Sequence, residues 1–143
     1  MTVIVVRDGI MAADTAIWQG NVISQYAKKI YRLSDGRLFG GTGQSAVVRA
    51  CVAWLEGGEK PEAEVEGNFG GLILAPDGVT HIDHKFRKYR SDAEFQMDGG
   101  HIELLLGALA MGASAEQAVR IAIQYGERAG GEVQVERLAD GLA

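Results

Sequence analysis

Hydrophobic residues change their spacing along this chain in an order that restricts the possible folds. Short apolar runs rich in β-branched residues, separated by glycine-containing turns, predict strands at 2–7, 10–13, 27–33, 37–41, 70–75, 79–83, 95–97 and 133–138. A spacing of three and four residues predicts helices at 45–55, 101–111 and 114–125. Because strands and helices are segregated rather than alternating, the pattern favours an α+β layered sandwich over a parallel sheet of βαβ units.

The composition narrows the class of protein. The formal net charge of −5 argues against a nucleic-acid-binding protein, which usually needs a basic face. No apolar run approaches the roughly 20 residues of a membrane span, and the chain opens on a strand-like segment rather than a signal peptide. We therefore expect a cytoplasmic protein without membrane contact, built as one domain over 1–143. Its acidic stretch at 59–67 is predicted to be an exposed connection.

The sequence gives little support for a metal site or a disulfide. The single cysteine, Cys51, excludes an internal disulfide framework and any multi-cysteine zinc site. His81 and Asp83 would share one face of a strand, whereas His84 would not. A turn after this strand is the preferred interpretation, so we predict neither a metal nor a cofactor.

The N-terminus offers a possible catalytic group. The small residue Thr2 at the second position normally lets Met1 be removed, which would leave Thr2 with a free α-amine. A threonine hydroxyl needs a base, and an α-amine has a reference pKa of about 8, close enough to neutrality to act as one. One residue can thus supply both nucleophile and base. A threonine at this position is far more often an ordinary strand residue, so the catalytic interpretation needs support from the rest of the chain.

Further segments support the catalytic interpretation through a resemblance. In order along the chain, they are Thr2-Val-Ile-Val, Asp8-Gly-Ile-Met-Ala-Ala-Asp14-Thr15, Gly20-Asn21, Lys28-Lys29-Ile30-Tyr-Arg-Leu33, Phe39-Gly-Gly-Thr-Gly43, Gly99-Gly100 and Gly130-Gly131-Glu-Val-Gln-Val135. Together they resemble proteasome β-subunits and the bacterial proteasome-like protease HslV, over nearly the whole chain. The resemblance implies a four-layer αββα sandwich with antiparallel sheets, of the N-terminal-nucleophile hydrolase type.

The resemblance also implies roles for individual residues. Thr2 matches the nucleophile, Asp14 the buried aspartate and Lys29 the catalytic lysine held by that aspartate. Lys28 would point the other way on a strand. Gly43 matches the glycine whose backbone N–H forms the oxyanion hole. These roles are physically consistent, since a lysine ammonium lowers the pKa of a nearby amine.

The resemblance also implies positions that contact the substrate, and this chain departs from the family pattern at two further places. Ile17 and Trp18 match the neighbourhood that lines the substrate channel and the first specificity pocket. Asp98 stands where the family carries a serine that supports the threonine amine, and an aspartate there would raise the pKa of that amine. The stretch 126–129, which ends in Ala129, has no clean match to the family's Asp-x-x-Ser pair.

The sequence therefore leads to one functional hypothesis and two alternatives. The first is a threonine peptidase that cleaves peptides or unfolded proteins inside the stacked hexameric or heptameric rings that the resemblance implies, with an ATP-dependent unfoldase as a candidate partner. The alternatives are an inactive ring-forming scaffold subunit and an N-terminal-nucleophile amidase acting on a small amide. A homo-oligomer is also expected from the helix at 101–111, because this helix has almost no face suited to water.

Overall fold

The computed structural model of the chain describes residues 2–62 and 69–141. The predicted connection at 59–67 therefore lies partly outside the described residues. The strands are β1 (Val3–Arg7), β2 (Ile10–Ala13), β3 (Ala16–Gln19), β4 (Val22–Tyr26), β5 (Ile30–Arg32), β6 (Leu38–Thr42), β7 (Gly70–Ala75), β8 (Gly78–Ile82), β9 (Lys88–Ser91), β10 (Phe95–Gly99) and β11 (Gln134–Arg137). The helices are α1 (Ser45–Leu55), α2 (Ile102–Ala110) and α3 (Ala115–Tyr125), with a 3-10 turn at Leu138–Gly141. None of the helices in these ranges is long and apolar enough to span a membrane.

Two antiparallel sheets lie face to face between helical layers. The first sheet has the strand order β10-β1-β2-β11, and the second has the order β5-β6-β7-β8-β9. α2 and α3 pack on the outer face of the first sheet, and α1 packs on the outer face of the second. This arrangement confirms the α+β, four-layer αββα sandwich.

Strand β1 explains why the N-terminal segment lies at the centre of this arrangement. Its side chains alternate, so Val3 and Val5 pack against α2 and α3 while Ile4 and Val6 pack against the second sheet. All four side chains are almost completely buried. β1 is hydrogen-bonded to β10 on one side and to β2 on the other. These pairings fix the position of Thr2, which directly precedes β1.

The helices form where the sequence pattern predicts them. α1 covers the predicted range 45–55, and α3 begins at the predicted capping box. In that box the Ser114 hydroxyl accepts a hydrogen bond from the Gln117 N–H, while the Gln117 side chain accepts one from the Ser114 N–H. α2 buries Leu105 and Leu109 against the first sheet.

The structure corrects the sequence analysis at four strands. β3 and β4 form a hairpin across Gly20-Asn21, in a segment where no strand was predicted, and β9 lies in another such segment. The strand predicted at 27–33 is shorter, since β5 covers only Ile30–Arg32. β4 and β9 are mostly exposed, so their sequences lack the hydrophobic alternation that reveals a half-buried strand.

Candidate active site

Thr2 lies at the N-terminal end of β1, against a turn that follows β10. Its carbonyl oxygen accepts a hydrogen bond from the Gly100 N–H at 2.8 Å. Gly99 has a φ of +100°, and a Cβ at this position would collide with the Thr2 carbonyl oxygen. The glycine pair after Asp98 thus allows the close approach that fixes the backbone of Thr2.

A buried ion pair lies directly behind Thr2. The Lys29 Nζ is 2.9 Å from the Asp14 Oδ1, with Asp14 fully buried and Lys29 6% exposed. The same Oδ1 accepts the Val3 N–H at 3.0 Å, and Oδ2 accepts the Gly130 N–H at 3.2 Å. Asp14 therefore connects Lys29 to the residue that follows Thr2, and these contacts leave the carboxylate little freedom to move.

Burial governs the protonation of this pair. Desolvation lowers the pKa of Lys29 from its usual value, and the charge and hydrogen bond of Asp14 oppose that shift. Lys28, in contrast, is exposed, although both lysines lie just before β5 and not on a strand as expected.

Gln134 on β11 holds the backbone of this lysine, although the sequence analysis did not single it out. Its Oε1 accepts the N–H groups of Lys29 and Ile30 at 2.8 and 3.0 Å, and its Nε2 donates to the Ile30 carbonyl at 3.0 Å. Gln134 is about nine-tenths buried. No local sequence pattern marks this role, because β11 is mostly polar and the partners are more than 100 residues away along the chain.

Gly43 lies in the turn between β6 and α1. It has a φ of +114°, which glycine adopts without strain, and it borders the same cavity as Thr2. α1 starts two residues later with no acidic side chain in its first turn. The partial positive charge at a helix N-terminus favours negative charge nearby, which suits this corner to an oxyanion.

Asp98 at the end of β10 points between the sheets. Its Oδ1 accepts the Gly99 N–H at 2.7 Å, and the glycine at position 70 leaves room for the carboxylate, because a Cβ there would collide with it. Burial raises the pKa of Asp98 above its usual value, against the opposing effects of the Gly99 N–H and the charge of His81.

Two cavities meet at Thr2. The larger, of about 590 Å³, is bordered by Thr2, Trp18, Gly43 and Asp98. The smaller, of about 300 Å³, shares Thr2 and Gly43 with the larger one and adds Lys29. Ile17 borders both cavities. The structure therefore brings all of the residues suggested by the resemblance to one place, with Asp14 buried behind the cavity wall.

Arg128 supports the wall that carries Trp18, and it too was not singled out in the sequence. Its guanidinium donates to the Gly20 carbonyl at 2.7 Å and to the Asn21 Oδ1 at 2.6 Å, both at the tip of the β3–β4 hairpin. The guanidinium carbon also lies 5.7 Å from the centre of the Trp18 ring. The indole Nε1 of Trp18 is buried without a hydrogen-bond partner among the described residues.

The segment from His81 to His84 has a structural explanation. His81 stacks on Tyr89 at 4.8 Å between ring centres, and Asp83 accepts N–H groups of Lys85 and Arg87 in the turn after β8. The predicted turn is thus confirmed. Within the described ranges, no group of three or more His, Cys, Asp or Glu side chains is arranged to hold a metal ion.

Comparison with known proteins identifies the fold. No family model matches the chain, and no curated protein matches it in sequence. Among solved structures, BPH from Thiobacillus denitrificans, a proteasome-like β subunit, has a TM-score of 0.69 at 18% identity, over 96% of this chain and 97% of that one. The same protein in complex with epoxomicin matches at 0.69 and 19%, over 96% and 98%. Eukaryotic HslV from Trypanosoma brucei matches at 0.67 and 15%, over 95% and 98%. The resemblance in the sequence is therefore confirmed at the level of the fold.

Proposed function

We propose that this chain is a threonine peptidase whose nucleophile is the hydroxyl of Thr2, freed at its α-amine by removal of Met1. The observation that carries the proposal is the position of Thr2, which borders both cavities directly in front of the buried Asp14–Lys29 pair. A threonine with a free α-amine can supply nucleophile and base on one residue, and a nearby lysine ammonium lowers the pKa of that amine.

The chemistry proceeds in two steps. The α-amine takes the proton of the Thr2 hydroxyl as Oγ attacks the peptide carbonyl, and the Gly43 N–H stabilises the oxyanion, a contribution of roughly 3 kcal/mol in comparable sites. The amine then gives the proton to the leaving nitrogen, which leaves an ester on Oγ. In the second step the amine accepts a proton from water, the resulting hydroxide attacks the ester, and the acid product leaves as Oγ regains a proton. Lys29 keeps the amine neutral through its positive charge.

The proposal includes an assembly. A cytoplasmic peptidase with an open site would endanger folded proteins, and enclosure in stacked hexameric or heptameric rings, as the resemblance implies, restricts it to peptides and unfolded chains. An ATP-dependent unfoldase would supply such chains. The exposed apolar residues of α2 support this part of the proposal.

Two residues favour a second candidate function, that of an inactive ring-forming subunit. Asp98 carries a carboxylate where the resembling family has a serine, and Ala129 is a buried residue without a polar side chain at the second supporting position. An inactive ring-forming subunit with the same fold would need neither group.

Mass spectrometry and labelling distinguish the two. The proposed peptidase should have the mass of the chain without Met1 and should be labelled at Thr2 by a threonine-directed electrophile such as epoxomicin, which is found in complex with the Thiobacillus protein. Thr2→Ala is the matched control, because a small second residue still allows Met1 removal. Retained Met1, or labelling that persists in Thr2→Ala, would rule out the peptidase and favour the scaffold.

A further inference from the structure

We propose that His101 is a positioning residue for the candidate chemistry, because its imidazole connects the turn that holds Thr2 to the segment that holds Asp14. This inference rests on the proposed function, since it concerns the orientation of Thr2 in front of the Asp14–Lys29 pair. It is carried by the hydrogen bonds around the peptide unit that joins Thr2 to Val3 and by the backbone conformation of His101.

Both polar groups of the peptide unit between Thr2 and Val3 are held by other segments of the chain. The Thr2 carbonyl accepts the Gly100 N–H at 2.8 Å, and the Val3 N–H donates to the Asp14 Oδ1 at 3.0 Å. Gly100 belongs to the turn after β10, whereas Asp14 directly follows β2. The orientation of the Thr2 hydroxyl and α-amine therefore depends on how these two segments lie relative to each other.

The segment 126–130, between α3 and β11, supports Asp14 from the other side. Its Gly130 N–H donates to the Asp14 Oδ2 at 3.2 Å. The Gly130 carbonyl also accepts two backbone N–H groups at the base of the β3–β4 hairpin, which follows Asp14 in the chain. A displacement of this segment would therefore move the carboxylate, and with it the peptide unit that follows Thr2.

His101 connects the segment 126–130 to the turn after β10. It directly follows Gly100, and its Nε2 accepts the Arg128 N–H at 3.3 Å. An N–H group can donate to Nε2 only when the imidazole is neutral and carries its proton on Nδ1. Gly126 leaves room for the ring, because a Cβ at that position would lie 2.7 Å from the His101 Nε2. The imidazole therefore links the two supports of the peptide unit that follows Thr2.

The backbone at His101 shows that neither the turn nor the helix start requires an imidazole. The φ of +56° lies in the left-handed region, where glycine and asparagine are the usual residues. His101 is the N-cap of α2, yet its side chain makes no capping hydrogen bond. The contact with the segment 126–130 is therefore the interaction that a histidine adds at this position.

Two amide substitutions separate this contact from the backbone conformation. The side-chain oxygen in His101→Gln reaches about as far as Nε2 and can still accept the Arg128 N–H. His101→Asn suits the left-handed backbone, but its oxygen is one bond too short to reach Arg128.

We expect His101→Asn to lower the kcat for peptide hydrolysis about fivefold, with KM changed less than about twofold, because the net contribution of one hydrogen bond corresponds to a factor of that size. His101→Gln should keep kcat within about twofold of the wild type. His84→Asn, in the exposed turn after β8, is the matched control and should change neither constant. If His101 served only the backbone, the order would be reversed, and a His101→Asn protein with the kcat of the wild type would overturn the proposal.

Hydrogen exchange separates this proposal from the proposed function. By mass spectrometry, fragments that cover 14–17 and 126–131 should exchange faster in His101→Asn than in the wild type and at the wild-type rate in His101→Gln. Equal exchange in all three proteins would overturn the role of His101, and hydrolysis by the wild type would then leave the peptidase intact. The expected exchange without hydrolysis by the wild type would overturn the peptidase but leave the connection through His101. Equal exchange without hydrolysis would overturn both.

Discussion

At the scale of single residues, the Asp14–Lys29 pair links stability to the candidate chemistry. Lys29→Ala removes the cation and leaves a fully buried carboxylate with only the N–H groups of Val3 and Gly130. Removing one member of a buried pair typically costs about 3–5 kcal/mol, so we expect a loss of that size in the free energy of unfolding, together with loss of activity. Urea denaturation measures the first effect and peptide hydrolysis the second.

Lys28→Ala provides the matched control for this prediction. Lys28 is exposed and adjacent in sequence, so its removal should change the free energy of unfolding by no more than about 0.5 kcal/mol. It should also leave the hydrolysis of peptides with uncharged side chains unchanged. If Lys28→Ala were the more damaging variant, the assignment of these two lysines would be reversed.

A second prediction concerns Asp98 and how its contribution to the free energy of unfolding changes with pH. Below the unfolded-state pKa of about 3.8 the group is neutral in both states and costs nothing. Because burial raises the pKa of Asp98 in the folded protein, the unfolded state ionises first as the pH rises, and stability is lost up to the folded-state pKa. Asp98→Asn keeps an oxygen for the Gly99 N–H but cannot ionise.

The expected result is that Asp98→Asn is more stable than the wild type at neutral pH and that the difference shrinks toward pH 4. Urea denaturation of both proteins at a series of pH values measures it. A difference in stability that does not vary with pH would contradict an ionisable, desolvated Asp98.

At the scale of secondary-structure elements, the β3–β4 hairpin depends on a distant segment. Arg128 holds its tip through Gly20 and Asn21, and the Gly130 carbonyl accepts the N–H groups of Thr15 and Ala16 at its base. These contacts suggest that the hairpin is positioned by the segment before β11 rather than by packing of its own, since most of β4 is exposed.

Arg128→Ala should loosen this hairpin. We expect faster hydrogen exchange of the amides in 16–26, and a KM increased about five- to tenfold with little change in kcat, because a lost charge-assisted hydrogen bond costs about 1–1.4 kcal/mol. Arg120→Ala removes an exposed arginine from α3 that does not contact the hairpin, and it should change neither quantity. Unchanged exchange in Arg128→Ala would mean that the hairpin holds its position without the clamp.

A comparison of predicted and observed strands and helices shows how much of the fold could be predicted from the sequence. The buried strands β1, β2 and β7 were predicted close to their observed bounds because each is a continuous apolar run buried on both faces, and the described helices because each has a periodic apolar stripe. β3, β4 and β9 escaped prediction because their stability comes from hydrogen bonds to a neighbouring strand and not from a buried face.

The candidate site was predictable to a different degree. Thr2, Asp14 and Lys29 were found through short segments with a recognisable order, and the structure brings them together. Gln134 and Arg128 were not found, because their partners are more than 100 residues away in sequence and no local pattern marks them. Long-range polar contacts of this kind depend on the completed fold.

At the scale of the whole molecule, α2 exposes an apolar face that a single chain does not cover. Ile102 and Leu106, four residues apart on one side of the helix, are 41% and 48% exposed, and Met111 is 90% exposed. Leu105 and Leu109, on the adjoining stripe of the helix, are fully buried, so the helix cannot turn Ile102 and Leu106 inward without losing that packing. Exposed apolar residues grouped in this way are typical of a protein interface.

We therefore predict that α2 lies in the contact between subunits. Light scattering of the wild type should give a mass well above the 15.3 kDa of one chain. Leu106→Glu should shift the mass toward that of the monomer, because assembly would then bury an unpaired carboxylate, at a cost of several kcal/mol. Gln124→Glu introduces the same charge on the exposed side of α3 and should leave the assembly intact. A wild type that is monomeric at micromolar concentration would contradict the prediction. It would also weaken the proposed peptidase, since nothing would then separate Thr2 from folded proteins.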